Sequence, residues 1–137
     1  MPQALFDGFA QTAKADRYAW LRQFLENFYN LDVYGGTLVS DQAFQGSWNI
    51  AAAGSAIAAV ECIATWLTDF RDDLPRIDVP VLVIQGDQDR ILPLDRTGQR
   101  LPGLIKDMKL TVIEGGPHSI AWTHADQVTK EILDFLP

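Results

Sequence analysis

Only two stretches of this 137-residue chain have the apolar, β-branched signature of buried strands, and both lie in its second half. Val79-Pro80-Val81-Leu82-Val83-Ile84 is bounded by Asp78 and Gly86, and Leu110-Thr111-Val112-Ile113 is ended by Gly115-Gly116-Pro117. A continuous apolar run with no polar alternation is how a strand covered on both faces of a parallel sheet reads. Residues 95–101 can form a crossover helix, stopped by Pro102-Gly103. Strand, helix, strand with a right-handed connection makes the two strands parallel. Parallel sheets, however, occur almost only as several strands covered by helices on both faces. Two strands fall short of that, so the remainder must come from elsewhere or the fold is unusual.

Everything upstream has a different period. Across residues 1–70, apolar side chains recur at three- and four-residue spacing with no β-branched run, which predicts helices. From Asp16, an N-cap residue type, Tyr18, Leu21, Phe24, Leu25 and Phe28 make one apolar stripe up to Asn30. Gly35-Gly36 turns the chain, and Ser40 can cap a short helix through Phe44. Ser55 can cap another, with Ile57, Val60, Ala64 and Leu67 on one face. A last helix is expected at the C-terminal end, capped by Thr123 with Asp126 three residues on, its core face being Val128, Ile132, Leu133 and Leu136. The division is therefore a helical region over 1–70 and a β-α-β-α part over 71–137. The fold class is α/β.

Composition excludes several partners. Eleven Lys and Arg against eighteen Asp and Glu give a formal charge of −7, which repels phosphate backbones and anionic lipid surfaces. No nucleic-acid or membrane partner is expected. Residues 42–60 carry no charge and approach the length of a membrane span, but Gln42, Gln45, Ser47, Asn49 and Ser55 interrupt them, as do Gly46 and Gly54. They read as small helices lining an apolar pocket or interface. The first residues have neither the basic stretch nor the apolar segment of a secretory signal, so the expected location is cytoplasmic. One cysteine, Cys62, permits no internal disulfide and no cysteine metal cluster. In an Ala-rich helix it is expected to be buried packing.

Chemistry is sought beyond the carboxyl ends of the strands, where open α/β sheets place their ligands. The first such loop is Gly86-Asp87-Gln88-Asp89-Arg90-Ile91-Leu92-Pro93, and the second is Glu114-Gly115-Gly116-Pro117-His118-Ser119. An acid after one strand and a histidine after the next, in that order, are what a nucleophilic hydrolase uses to orient an imidazole and stabilise its protonated form. Asp89 and His118 are thus the candidate catalytic residues, expected within about 2.6–3.2 Å of each other. A solvated turn residue and a packed loop histidine are the plainer readings of each taken alone. No dinucleotide fingerprint follows the first strand, and His118 and His124 lack a zinc-ligand spacing. Trp20, Phe24, Phe28, Tyr29, Trp48, Trp66 and Trp122 read chiefly as core.

The run Asp69-Phe70-Arg71-Asp72-Asp73-Leu74-Pro75-Arg76-Ile77-Asp78-Val79-Pro80, continued by Val83-Ile84-Gln85-Gly86 and the Asp89 loop, resembles the cofactor-free (non-haem) haloperoxidases and related arylesterases of the α/β-hydrolase family. So does Gly115-Gly116-Pro117-His118-Ser119-Ile120-Ala121-Trp122-Thr123-His124. Residues 16–29 and Trp48-Asn49-Ile50-Ala51 look like that family's helical cap, which covers the active site and whose aromatics can line an acyl pocket. The resemblance implies a partial α/β-hydrolase fold: a helical cap followed by the last two sheet strands and core helices. It implies that Asp89 is the triad acid and His118 the general base. Asp87 matches a noncatalytic aspartate, and His124 a position at the start of the last helix. No cofactor is implied.

The family's nucleophile sits on a Gly-x-Ser-x-Gly elbow, and no such pentapeptide occurs in this chain. The oxyanion-hole loop has no counterpart either. Ser47, Ser55 and Ser119 are not presented by an elbow, and Cys62 lies in a helix, so none is expected to replace it. The sequence therefore carries two functional expectations. One is the C-terminal portion of a serine-type hydrolase for small esters or acyl groups, by hydrolysis or perhydrolysis, inactive until an N-terminal hydrolase half supplies the serine. The other is a noncatalytic half-domain that self-associates or binds a partner, with Asp89 and His118 idle.

Overall fold

A computed structural model describes residues 3–137. Five helices come first: α1 (Gln3–Ala15), α2 (Arg17–Tyr29), α3 (Leu31–Tyr34), α4 (Asp41–Ala53) and α5 (Ala56–Thr65). The expected caps form. The Asp16 carboxylate accepts from Ala19 N, and the hydroxyls of Ser40 and Ser55 accept from Ala43 N and Ala58 N. Each satisfies one of the backbone donors that a helix start leaves free.

The core of the molecule lies in this helical half. Phe6, Ala13, Trp20, Leu21 and Ile63 join α1, α2 and α5 in one buried cluster. Leu25, Tyr29, Val39 and Phe44 join α2 and α4 in a second. Three expectations need correction here. The Ser40 helix does not stop at Phe44 but runs to Ala53. In α5 the buried residue is Ile63, while Ile57 is 76% exposed, because an alanine-rich helix has no strong stripe to fix its rotation. The neighbouring Cys62 is consequently exposed rather than packed. The break between α4 and α5 bends the chain by 93°, and no single helix among the described residues is long and apolar enough to cross a membrane.

The strand half consists of β1 (Val81–Gly86) and β2 (Met108–Ile113), which pair in parallel from Val81↔Met108 to Gly86↔Ile113. Both strands start later or earlier than the apolar runs imply: β1 omits Val79-Pro80, and β2 begins two residues before Leu110. The connection between them is not an α-helix. It is a pair of 3-10 turns, Leu94–Arg96 and Gly98–Gly103, since Pro102 sits inside the second turn and a side chain at Gly98 would collide with Gln85 Oε1. After β2 come α6 (Ile120–Thr123) and α7 (Ala125–Phe135). Thr123 does not cap α7, because His124 occupies the N-cap position, and the Thr123 hydroxyl pairs with His124 Nδ1 at 2.8 Å. Glu131 of α7 ties the helix to β2 through Lys109 Nζ and the Thr111 hydroxyl.

The strands are not covered on both faces as a parallel sheet requires. Val81, Leu82, Val83 and Ile84 are only half-buried. The expected core face of α7 is open, with Leu133 65% and Leu136 57% exposed. The accessible surface is 8873 Å², against roughly 7,100 Å² for a compact monomer of this mass.

Candidate active site

The carboxyl ends of β1 and β2 bring the two sequence-predicted residues together. His118 Nδ1 lies 2.8 Å from Asp89 Oδ2. An ionised carboxylate only accepts, so the imidazole donates through Nδ1–H, and its Nε2 is left to accept a proton. The other carboxylate oxygen, Oδ1, accepts from Ile91 N at 2.9 Å and Leu92 N at 2.8 Å. Asp89 is 8% exposed. Burial pushes its carboxyl up, but the His118 bond and the Leu92 and Ile91 donors outweigh that, so it stays below its ordinary value and is charged at neutral pH.

Glycines allow the two loops to meet. A Cβ on Gly86 would sit 1.9 Å from the carbonyl oxygen of Gly116, a separation no side chain survives. Gly115 has φ +74, the left-handed region in which glycine carries no steric penalty. The Asp87 carboxylate accepts from Gly115 N at 2.8 Å, and Gln88 N donates to Gly116 O at 3.0 Å. Asp87 is thus a brace between the loops.

His118 lines an apolar cavity of about 820 Å³ between the helical half and the Asp89 loop. Phe6, Phe9, Trp20, Phe24 and Trp66 line it, with Leu92, Arg90 and His118 on the strand side. A concave, mostly aromatic wall meeting a few polar groups is the usual form of a small-molecule site.

These loops and this topology have counterparts in known proteins. Residues 4–125 match the family model for the alpha/beta hydrolase fold. The chain belongs to the α/β-hydrolase fold family. It is 54% identical over 98% of its length to a Synechocystis sp. protein assigned provisionally to the non-heme chloroperoxidases. A bifunctional esterase/perhydrolase of Acinetobacter calcoaceticus is 32% identical over 74% of the chain. The crystal structure of a bromoperoxidase from Bacillus anthracis superposes with a TM-score of 0.91 and 32% identity, over 98% of this chain and 49% of that one. The chain spans about half the length of the curated relatives it matches, 49% in the Synechocystis case. This accounts for a parallel sheet of two strands.

Within this α/β-hydrolase chain the other sequence candidates fall elsewhere. Ser47 pairs with the Tyr29 hydroxyl at 2.8 Å, and Ser55 caps α5. Ser119 is buried beside His118, but its N–H donates to Phe28 O and its hydroxyl has no partner among the described residues. His124 packs edge-on against Tyr34, with ring centroids 5.8 Å apart.

Several residues that shape the site were missed. Gln85 donates from Nε2 to Leu92 O and to the Thr97 hydroxyl, and its Oε1 accepts from Gly98 N, so it fastens the Asp89 loop to β1. A polar residue closing an otherwise apolar strand run was the signal for it. The Phe28 and His118 rings meet edge to face with centroids 4.8 Å apart, and Asp32 pairs with Arg90 through both carboxylate oxygens. Asp32 is held below its ordinary carboxylate value, first by its bond to Arg90. No local pattern announces such contacts, since Asp32 and Arg90 lie in different halves of the sequence.

Proposed function

We propose that this chain is the C-terminal portion of a serine-type α/β-hydrolase for small esters or acyl groups, and that it contributes the acid and the histidine of the catalytic triad. The observation that carries the reading is the 2.8 Å contact between His118 Nδ1 and Asp89 Oδ2 beside the apolar cavity that His118 lines. In this reading a serine from the remaining half attacks the acyl carbonyl while His118 Nε2 takes its proton. Asp89 holds the tautomer and balances the imidazolium that forms. His118 then returns the proton to the leaving oxygen, and water, deprotonated in turn by His118, releases the acid. With hydrogen peroxide instead of water, the acyl group leaves as a peracid, which can transfer an oxygen atom to halide. The esterase/perhydrolase relative supports including both outcomes.

The exposed apolar residues of the strand half favour a second element of the reading: in isolation the chain associates, with a further copy or with the half that carries the serine. Self-association without catalysis remains the competing reading. An aryl acetate assay separates the two. The chain alone should give no turnover above buffer, since it brings neither nucleophile nor oxyanion donors, and loss of one such donor already costs on the order of 10²–10³ in rate. Mixed with a polypeptide carrying the serine elbow and the remaining strands, it should gain activity that H118A abolishes and D89N cripples. A reconstituted complex indifferent to both substitutions would refute the catalytic reading.

A further inference from the structure

One short stretch of the helical half, residues 28–34, touches both site loops. Asn30 Nδ2 donates to Gln88 O at 2.9 Å, next to Asp89. The Tyr34 hydroxyl donates to Gly115 O at 2.6 Å, in the loop that ends on His118. The Phe28 ring meets the imidazole edge to face, and the Phe28 carbonyl accepts from Ser119 N at 3.2 Å. Three hydrogen bonds thus run from one helical connection to two separate strand ends, two of them made by side chains.

Asn30 is the more telling of the two. It is 1% exposed and sits at φ 46, the left-handed region, between α2 and α3. Glycine would meet that backbone demand without strain, and asparagine meets it with an amide. The amide carries a cost here, because its Oδ1 is buried with no hydrogen-bond partner among the described residues. What the side chain supplies in return is the donor to Gln88 O. That carbonyl belongs to a residue whose own N–H binds Gly116 O, so the donor acts where the two loops are already joined.

We propose that Asn30 and Tyr34 are positioning residues that hold the Asp89 loop and the His118 loop at hydrogen-bonding distance from each other. The inference rests on the acid–imidazole pair described above and extends it: the helical half sets the geometry of the pair as well as covering the cavity. Neither residue touches a reacting atom.

The test reads the imidazole directly. With only two histidines in the chain, a ¹⁵N-histidine-labelled sample gives a sparse magic-angle-spinning NMR spectrum whatever the assembly size, and H118Q assigns the His118 signals by their loss. At neutral pH the unsubstituted chain should show His118 as the Nδ1–H tautomer. N30G keeps the left-handed backbone and removes the donor, and Y34F keeps the ring and removes the hydroxyl. Each should move His118 toward the Nε2–H tautomer favoured by free imidazole, and the double variant should move it furthest. A melting temperature that falls while the tautomer stays fixed would overturn the inference, because it would make both residues merely structural. Should N30G fail to fold, Y34F alone decides, and an unchanged tautomer counts against the proposal. An unsubstituted chain without the Nδ1–H signal would overturn the pair itself, an outcome distinct from a pair that forms and ignores both substitutions.

Discussion

The helical half and the strand half are built from similarly apolar residues and end in opposite states. In the first, Phe6, Trp20, Leu21, Leu25, Phe44 and Ile63 close on one another in two clusters. In the second, only Leu94, Ile105 and Ile113 are buried among the large aliphatics, while Val79, Val112, Ile132, Leu133 and Leu136 face outward. A helix pair can satisfy its apolar stripe with one neighbour, whereas a parallel strand needs neighbours on both edges and cover on both faces. The helical half therefore builds two buried clusters within this chain, although Ile50 and Ile57 stand exposed. The strand half brings an acid and a histidine together without completing a core.

That contrast makes the association state the largest expected effect. Apolar surface of several hundred Å² at about 25 cal/mol per Å² is ample to drive self-assembly. Light scattering at tens of micromolar should return more than one chain mass, and a cooperative, stable monomer would break the comparison. Next comes the core itself. Ile63, 1% exposed, should cost about 2–5 kcal/mol when replaced by alanine, measured by denaturant unfolding. L133S, on the open face of α7, should cost under about 0.5 kcal/mol when measured dilute enough for the chain to be monomeric. If the two costs were equal, the strand half would have a core of its own.

Substitutions at the site sharpen the contrast further. G86A should destabilise by about 3 kcal/mol and drive the loops apart, because the added methyl meets Gly116 backbone rather than a yielding side chain. D89N should lose roughly 1–3 kcal/mol at neutral pH. The sign follows from a carboxyl held low in the folded state: its contribution is full above the unfolded value near pH 4 and fades as pH falls through the lower folded value. Unfolding curves of D89N and the unsubstituted chain should accordingly converge in acid. Smallest among the site substitutions is R90A. Its partner Asp32 is exposed, so solvent screens the pair and the unfolding midpoint should hardly move.

Much of this organisation is legible in the sequence, and what escapes it does so for physical reasons. Asp16, Ser40 and Ser55 announce helix starts because capping is settled within three residues. Asp89 and His118 are legible because parallel strands deliver their carboxyl ends to one side of a sheet, whatever the strands pack against. The rotation of α5 is not legible, since four alanines among its ten residues leave several faces similarly apolar. The 3-10 crossover depends on Gln85 reaching Gly98 and Thr97, a contact chosen by the folded strand rather than by the helix-compatible residues 95–101. Asn30 and Tyr34 read locally as the end of one helix and the body of the next, and their bonds to Gln88 and Gly115 exist only once the halves are docked.

The central proposal is that the Asp89–His118 pair of this chain activates a serine carried by the remaining half of the fold. A fluorophosphonate probe tests it by mass spectrometry, since an activated serine displaces fluoride and gains a phosphonyl adduct. The account predicts that a half carrying the serine elbow is labelled slowly on its own, rapidly once this chain is added, and slowly again when the added chain is H118A. Equal labelling with and without this chain, or with H118A in its place, would contradict it.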